Sequence, residues 1–449
     1  MHPLFRLVSR LLPAVLVALM SIACSKPAPE PEVVVISPHW EGIKDETSRA
    51  FSAWHQKTYG QPATIRWREL GGGGSQIIKF LRGEYAGHAS SGLDVLYGGG
   101  IDPFRDLKKD GLLARCDLPP EILAGIPAQL NGMDLRDPDQ EWFGAALAGF
   151  GIITNERARG VLGLPPVRQW SDLTDPRLDG WISACDPRAS SSALSIYEII
   201  LQSLGWERGW AVLMQMSGNT RAFLSSSAAS AVEVGVGDAT FGVAIDSYGQ
   251  AQSAYYGPQN VSFVLPQGQT VITPDSIAVL KNPPHPEMAR RFLQFVLGRP
   301  GQLLWMVPRG QPGGAVHAVI NRMSVQPALY DELAGVTPVR TDPFRLPNDL
   351  QYSEELGAKR RVILGQIIAA CMIDPHDGLV RAWRALNDPA NASRRNVLLA
   401  KFVTPPCTAQ ELLSDSALHD PVQRTALLNR WQNEALRRYA EIAREAAHP

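Results

Sequence analysis

The alternation of short apolar strands with amphipathic helices between Glu32 and Gly100 most constrains the fold. Glu32–Ser37, "EVVVIS", is a β-branched run that reads as a buried strand. After "PHWEG", Ile43, Thr47, Ala50, Phe51 and Trp54 recur at threes and fours, the spacing of a helix with one apolar face. "ATIRWREL" alternates and reads as a second strand. "SQIIKFLRGEY" sets Ile77, Ile78 and Leu81 on one helical face, and "GLDVLYGGG" reads as a third strand. A β-α-β-α-β order predicts a parallel sheet with right-handed crossovers.

A second such pattern follows. Glu141–Asn155, "EWFGAALAGFGIITN", is a long apolar run of small residues, suited to a strand crossing between lobes. "WSDLTDPRLDGWISACDPRASSSALSIYEIILQSLG" gives a short helix, a strand, a serine-rich turn and a long helix. "ATFGVAIDSYGQ" is another strand, and "VSFVLPQG" with "VITPDSIAVL" reads as the return crossing. These patterns predict one lobe from residues 33–144 and 274–320, and another from 150–270. Residues 321–449 read as a helical C-terminal extension. Its last helix carries Leu427, Leu428, Trp431, Ala435, Tyr439 and Ile442 as a core-facing stripe.

"WRELGGGGSQIIKFL" joins a strand to a helix within one unit, so its glycines are not an interdomain linker. They lack the Lys-Ser or Lys-Thr of a phosphate loop. A ligand-binding turn is left, with Gly73 and Gly74 allowing close approach to the backbone and Ser75 at the N-cap. Ligands of open α/β sheets bind at the carboxyl ends of strands. Three ends there carry suggestive residues: Ser37-Pro38-His39-Trp40, Gly72–Ser75, and Gly98-Gly99-Gly100. Each alone also fits a plain tight turn.

The N-terminus has Arg6 and Arg10 before a short apolar core, "LLPAVLVALM", then "SIAC". This reads as a signal peptide over residues 1–23. Cys24 after small residues fits a lipid-attachment site, with plain cleavage as the alternative, and residues 24–32 read as a Pro-rich tether. The whole chain has 43 basic and 44 acidic residues; losing Arg6 and Arg10 leaves 41 against 44, a net charge of -3. That balance gives no support for nucleic acid as a partner. Cys116, Cys185, Cys371 and Cys407 are either disulfide partners, which export permits, or buried thiols. No G-x-S-x-G or H-E-x-x-H occurs, which argues against a hydrolase.

"WSDLTDPRLDGWISACDPRASSSA", "GVGDATFGVAIDSYG" and "PDSIAVLKNPPHPEMARRFLQFVLGRPGQ" resemble segments of the periplasmic solute-binding proteins of ABC importers, specifically the ferric-iron-binding branch. The resemblance covers roughly Glu32 to Trp305. It implies an α/β, two-lobe type II periplasmic binding protein fold with hinge strands. It also implies a monomer that closes on a ligand and delivers it to membrane permease subunits, with no cofactor of its own.

Ferric-binding members hold iron with a histidine after the first strand, a carboxylate after the third and adjacent tyrosines in the second lobe. By that resemblance His39 and Tyr248 are the metal ligands here. Gly99 stands where the carboxylate is expected, with Asp102, Asp246 or Tyr255 as substitutes. A hard ferric ion wants several anionic oxygens, and this is a poor set. The glycine and serine turns point elsewhere, to a small anion such as a phosphonate or organophosphate or to chelated iron, with direct ferric binding as the alternative. Ser37, Gly73, Gly74, Ser75, Gly99, Gly100, Ser190, Ser191, Asp246 and Tyr248 would line its site with His39, and Arg188 would add charge. A ligand-binding sensor without a transport role also fits.

Overall fold

The computed structural model describes residues 30–447 except 71–73, 348–349 and 419. The signal segment, Cys24, most of the tether and Gly73 lie outside the described residues. Strand β1 (Glu32–Ile36) runs parallel to β2 (Thr64–Arg68) on one side and to β3 (Val95–Tyr97) on the other. The short β4 (Leu113–Ala114) follows, then a small hairpin of β5 (Gln129–Leu130) and β6 (Met133–Asp134). Strand β7 (Phe143–Asn155) is buried along its whole length. Beyond it come β8 (Ile182–Cys185), β9 (Thr220–Leu224), β10 (Phe241–Ile245), β11 (Val261–Val264) and β12 (Ile272–Leu280).

The ladder order is β2-β1-β3-β12-β7-β10-β8-β9. Strand β7 belongs to both ends of it. Phe143–Gly149 pairs antiparallel with β12, whereas Phe150–Asn155 pairs with β10 and β11. The return strand β12 begins at Ile272, opposite Gly149. The chain thus crosses between the two half-sheets on β7 and comes back on β12. Small residues make the crossing possible: a Cβ on Gly151 would meet the Val264 carbonyl oxygen, and one on Gly149 the Leu265 side chain.

Val33, Val35, Phe143, Phe292 and Trp305 lie in the core of the N-terminal half-sheet. Trp170, Ile196, Trp210 and Phe241 lie in that of the other half. The stretch read as a single C-terminal extension serves both. Met323, Val325, Leu329 and Tyr330 join the first core. The helices Glu354–Ile368, His376–Leu386 and Pro421–Ala447 join the second, burying Leu364, Trp383, Trp431 and Tyr439. Full burial of a large apolar side chain contributes about 1.5–3 kcal/mol, so these helices are part of the second lobe's stability. Helix Glu354–Ile368 also reaches the first lobe: Arg361 bonds Asp102, and Glu354 pairs with Arg105. Cys116, Cys185, Cys371 and Cys407 are free thiols.

Candidate ligand site at the crossing strands

Strand β1 ends at Ile36, and the chain turns through Ser37, whose Oγ accepts from the His39 backbone N–H at 3.1 Å. This directs the His39 ring onto Tyr97, edge to face at 4.7 Å between centroids. Strand β3 then leaves through three glycines in succession with positive φ: Gly98 (88°), Gly99 (103°) and Gly100 (84°). Only glycine takes this region without strain. A Cβ on Gly98 would stand 2.5 Å from the His39 ring, so the turn and the imidazole are fitted to each other.

Gly100 N–H donates to Asp275 Oδ1 at 2.9 Å. Asp275 lies in β12, the return crossing, and is the centre of a cluster absent from the sequence expectations. Arg322 Nη1 donates to Asp275 Oδ2 at 2.6 Å, and His39 Nε2 lies 3.0 Å from the same oxygen. Arg322 Nη1 is also 3.2 Å from His39 Nε2. The ring nitrogen donates to the carboxylate or accepts from the guanidinium; one atom does not do both at once. Arg322 is placed by its neighbours: its N–H donates to the Trp305 carbonyl, while buried Gln302 accepts from Ser324 Oγ and Val325 N–H. Burial would raise the Asp275 pKa, but Arg322, His39 and Gly100 hold it well below the usual carboxylate range. Arg322 Nε and His39 Nδ1 are buried polar atoms with no partner among the described residues. Leaving such groups unpaired typically costs about 1–3 kcal/mol each, so a water or another polar group beside them would be stabilising.

The second lobe contributes the start of helix Asp246–Tyr256, directly after β10. Asp246 is 7% exposed; burial pushes its carboxyl up to about 7, against the attraction of Arg322. Tyr248 is close enough for Arg322 and Asp275 to act on its hydroxyl, which burial pushes up, and it packs against the small apolar cluster that holds Ile153 and Val261. His39, Gly100, Asp246 and Tyr248 are therefore brought to one place around Asp275 and Arg322, where β7 and β12 cross. Gly99 and Gly74 approach each other beside Pro103.

Other expected residues stand differently. Helix Gly74–Gly87 starts one residue before Ser75, so Ser75 lies in the first turn and not at the N-cap. Ser190 caps helix Ser191–Leu204 by accepting from Ala193 N–H at 3.3 Å, and Ser191 is exposed in its first turn. The preceding turn is tied to the C-terminal region by Arg188, which pairs with Asp186 and Asp374, so its charge is already engaged. Tyr255 is 80% exposed at the far end of its helix, and Asp102 bonds Arg361. Neither joins the cluster as a substitute iron ligand. Among the described residues no three His, Cys, Asp or Glu side chains stand together as a metal-holding group.

The family model for bacterial extracellular solute-binding protein matches residues 90–320, just over half of the chain. The chain belongs to that family. Its members are binding proteins, not enzymes. This solute-binding protein is 32% identical over 274 residues to the phosphoglycerate transport regulatory protein PgtC of Salmonella typhimurium; the match covers 61% of this chain and 64% of the relative. Among solved structures it is similar to the periplasmic binding protein AfuA from Actinobacillus pleuropneumoniae with fructose-6-phosphate bound. That likeness has a TM-score of 0.58 at 19% identity, covering 79% of this chain and 98% of the other. It is also similar to iron-bound HitA from Pseudomonas aeruginosa, with a TM-score of 0.53 at 18% identity, covering 83% and 99%. The two-lobe type II binding-protein fold implied by the sequence resemblance is thereby shown.

Proposed function

We propose that this solute-binding protein is the extracytoplasmic receptor for a small phosphorylated organic anion, which it hands to the permease subunits of an ABC importer. The observation that carries the reading is buried Arg322, which keeps an unpartnered Nε beside an equally unpartnered His39 Nδ1 at the crossing strands. A guanidinium with a free N–H in a dry site favours a phosphate or carboxylate oxygen, and charge-assisted bonds of this kind are the strong ones. The curated relative named for phosphoglycerate and the neighbour solved with a sugar phosphate point to the same ligand chemistry.

Direct ferric binding is disfavoured by the same residues. Arg322 places a fixed positive charge 3.2 Å from His39 Nε2, the atom a metal would share. Tyr248 has its hydroxyl pushed up by burial, away from the tyrosinate that iron needs. A sensor role is the second reading, favoured by the word regulatory in the relative's name. We further read Cys24 as lipidated, holding the protein at the membrane. Recovery of wild type and Cys24→Ser equally in the soluble fraction contradicts the anchor.

The test of the ligand class is calorimetric titration with 3-phosphoglycerate, fructose 6-phosphate and ferric citrate. Saturable binding of a phosphorylated probe that Arg322→Gln abolishes supports the reading. Binding of ferric citrate alone, with an absorption band lost in Tyr248→Phe, overturns it.

A further inference from the structure

The stretch from Leu350 to Ile368 is built into one lobe and reaches the other. Leu350, Ile363, Leu364, Ile367 and Ile368 lie in the core of the second lobe. Arg360, on helix Glu354–Ile368, pairs with Glu198 of helix Ser191–Leu204 at 3.2 Å, and both residues are buried. A Cβ on Gly365 would stand 3.4 Å from the Pro187 carbonyl oxygen, so the helix lies close on the turn before Ser190. These contacts fix the helix to the second lobe.

Three of its side chains meet the first lobe. Arg361 bonds Asp102, and Glu354 pairs with Arg105, which also pairs with Asp134 at 3.2 Å. Tyr352 packs on the second lobe's core and also on the first-lobe cluster that holds Leu96, Phe104 and Trp142. Helix Asp102–Lys109 starts two residues after Gly100, whose N–H donates to Asp275, so these contacts stand next to the candidate site. The charged side chains of the two pairs are 22–40% exposed. Burial raises the carboxyls of Asp102 and Glu354 against the attraction of their arginines. Partly exposed ion pairs contribute little net stability, and desolvation offsets covered ones. What the pairs do is conditional. With the lobes together each carboxylate needs its arginine; with the lobes apart, water solvates both partners. Loss of one partner therefore penalises the closed arrangement alone.

We propose that residues 350–361 form a latch between the lobes, closed by the pairs Asp102–Arg361 and Arg105–Glu354, and that both pairs part when the cleft opens. The crossing strands β7 and β12 supply the hinge, and the latch sets how much of the population is open. Tyr352 gives the latch an apolar contact with each lobe, while the two ion pairs fix the register in which the lobes meet. The latch does not depend on which ligand the cleft takes.

Small-angle X-ray scattering of the full chain, dialysed free of small solutes, reads opening as a larger radius of gyration. Arg361→Glu sets a carboxylate against Asp102, and Glu354→Lys sets an ammonium against Arg105. Each is expected to shift the open-to-closed ratio at least about tenfold and to enlarge the particle. The milder Arg361→Gln should move the same way by less, and it carries the test where a reversal does not fold. The exchanged pair Asp102→Arg/Arg361→Glu should return the wild-type curve. Lys359→Glu breaks only a pair with Glu355 inside the same helix and should leave the curve unchanged. Circular dichroism checks that each variant keeps its fold. Superimposable curves for wild type and the folded Arg361 and Glu354 variants overturn the latch. So does an equal enlargement by Lys359→Glu, or failure of the exchanged pair to restore the wild-type curve.

Discussion

Arg322 and Asp275 form a buried ion pair, 2.6 Å from Nη1 to Oδ2, with 4% and 9% of the two residues exposed. Asp275 sits on the strand that returns between lobes, and Arg322 follows the helix Arg299–Met306 that packs on the first lobe. The pair therefore ties the crossing strand to the first lobe's framework. Removing one member leaves the other charge buried and alone. Arg322→Met is expected to lower unfolding stability by about 3–5 kcal/mol. Asp275→Asn in the same background should recover part of that loss. Urea unfolding checks both; a loss below about 1 kcal/mol in Arg322→Met contradicts the pairing as drawn.

Asp246 predicts a pH dependence with a definite sign. Its folded carboxyl, raised to about 7 chiefly by burial, lies above the ordinary value of about 3.9. The stability it contributes is complete below about pH 4 and is lost as pH rises through about 7. Asp275, held low by its partners, acts in the other direction: its contribution is present above about pH 4 and is lost in stronger acid. Asp246→Asn, which cannot ionise, should therefore match wild type near pH 4 and become the more stable of the two toward pH 8. Thermal unfolding at the two pH values measures the difference, and a variant that gains nothing on wild type between them contradicts it.

Gly98 is expected to tolerate no side chain. Its φ of 88° is strained for alanine, and the new Cβ would stand 2.5 Å from the His39 ring. Gly98→Ala should cost about 1–3 kcal/mol and weaken ligand binding by displacing His39. Gly60, also left-handed but with open space around it, should cost less when changed to alanine and leave binding intact. Equal binding by Gly98→Ala and wild type sinks the role given to His39.

Glu46 fixes a loop of the first lobe. Its Oε1 accepts from the backbone N–H groups of Val316, His317 and Ala318, and Arg49 pairs with Oε2. Burial opposes its charge, but those bonds lower its pKa to about 2. The stabilisation is present above about pH 4.5 and is lost as pH falls through about 2. Glu46→Gln should destabilise at pH 7 by about 1–3 kcal/mol and show little effect near pH 2. A penalty that persists unchanged at pH 2 contradicts it.

Much of the architecture was legible because its signals are local. β-branched runs mark the strands, and the small-residue run ending at Asn155 marks the crossing. His39 and the glycines after β3 were legible from their place at strand ends. Asp275 and Arg322 were not singled out. A lone acid in the apolar strand "ITPDSIAVL" signals a buried charge that needs a partner, but nothing in "NRMSVQP" says that Arg322 supplies it. That pairing spans 47 residues and depends on Gln302 and Trp305 packing under the loop. The stripe through Trp431 and Tyr439 was legible as core-facing, whereas which core it covers depends on tertiary packing with Trp383 and Phe402.

The receptor reading is tested most directly by titrating freshly purified protein with 3-phosphoglycerate and fructose 6-phosphate beside the Arg322→Gln variant. Saturable one-site binding of at least one probe by the wild type, lost in the variant while its fold is retained by circular dichroism, is the predicted result. Failure of both probes to bind, or equal binding by wild type and Arg322→Gln, contradicts it.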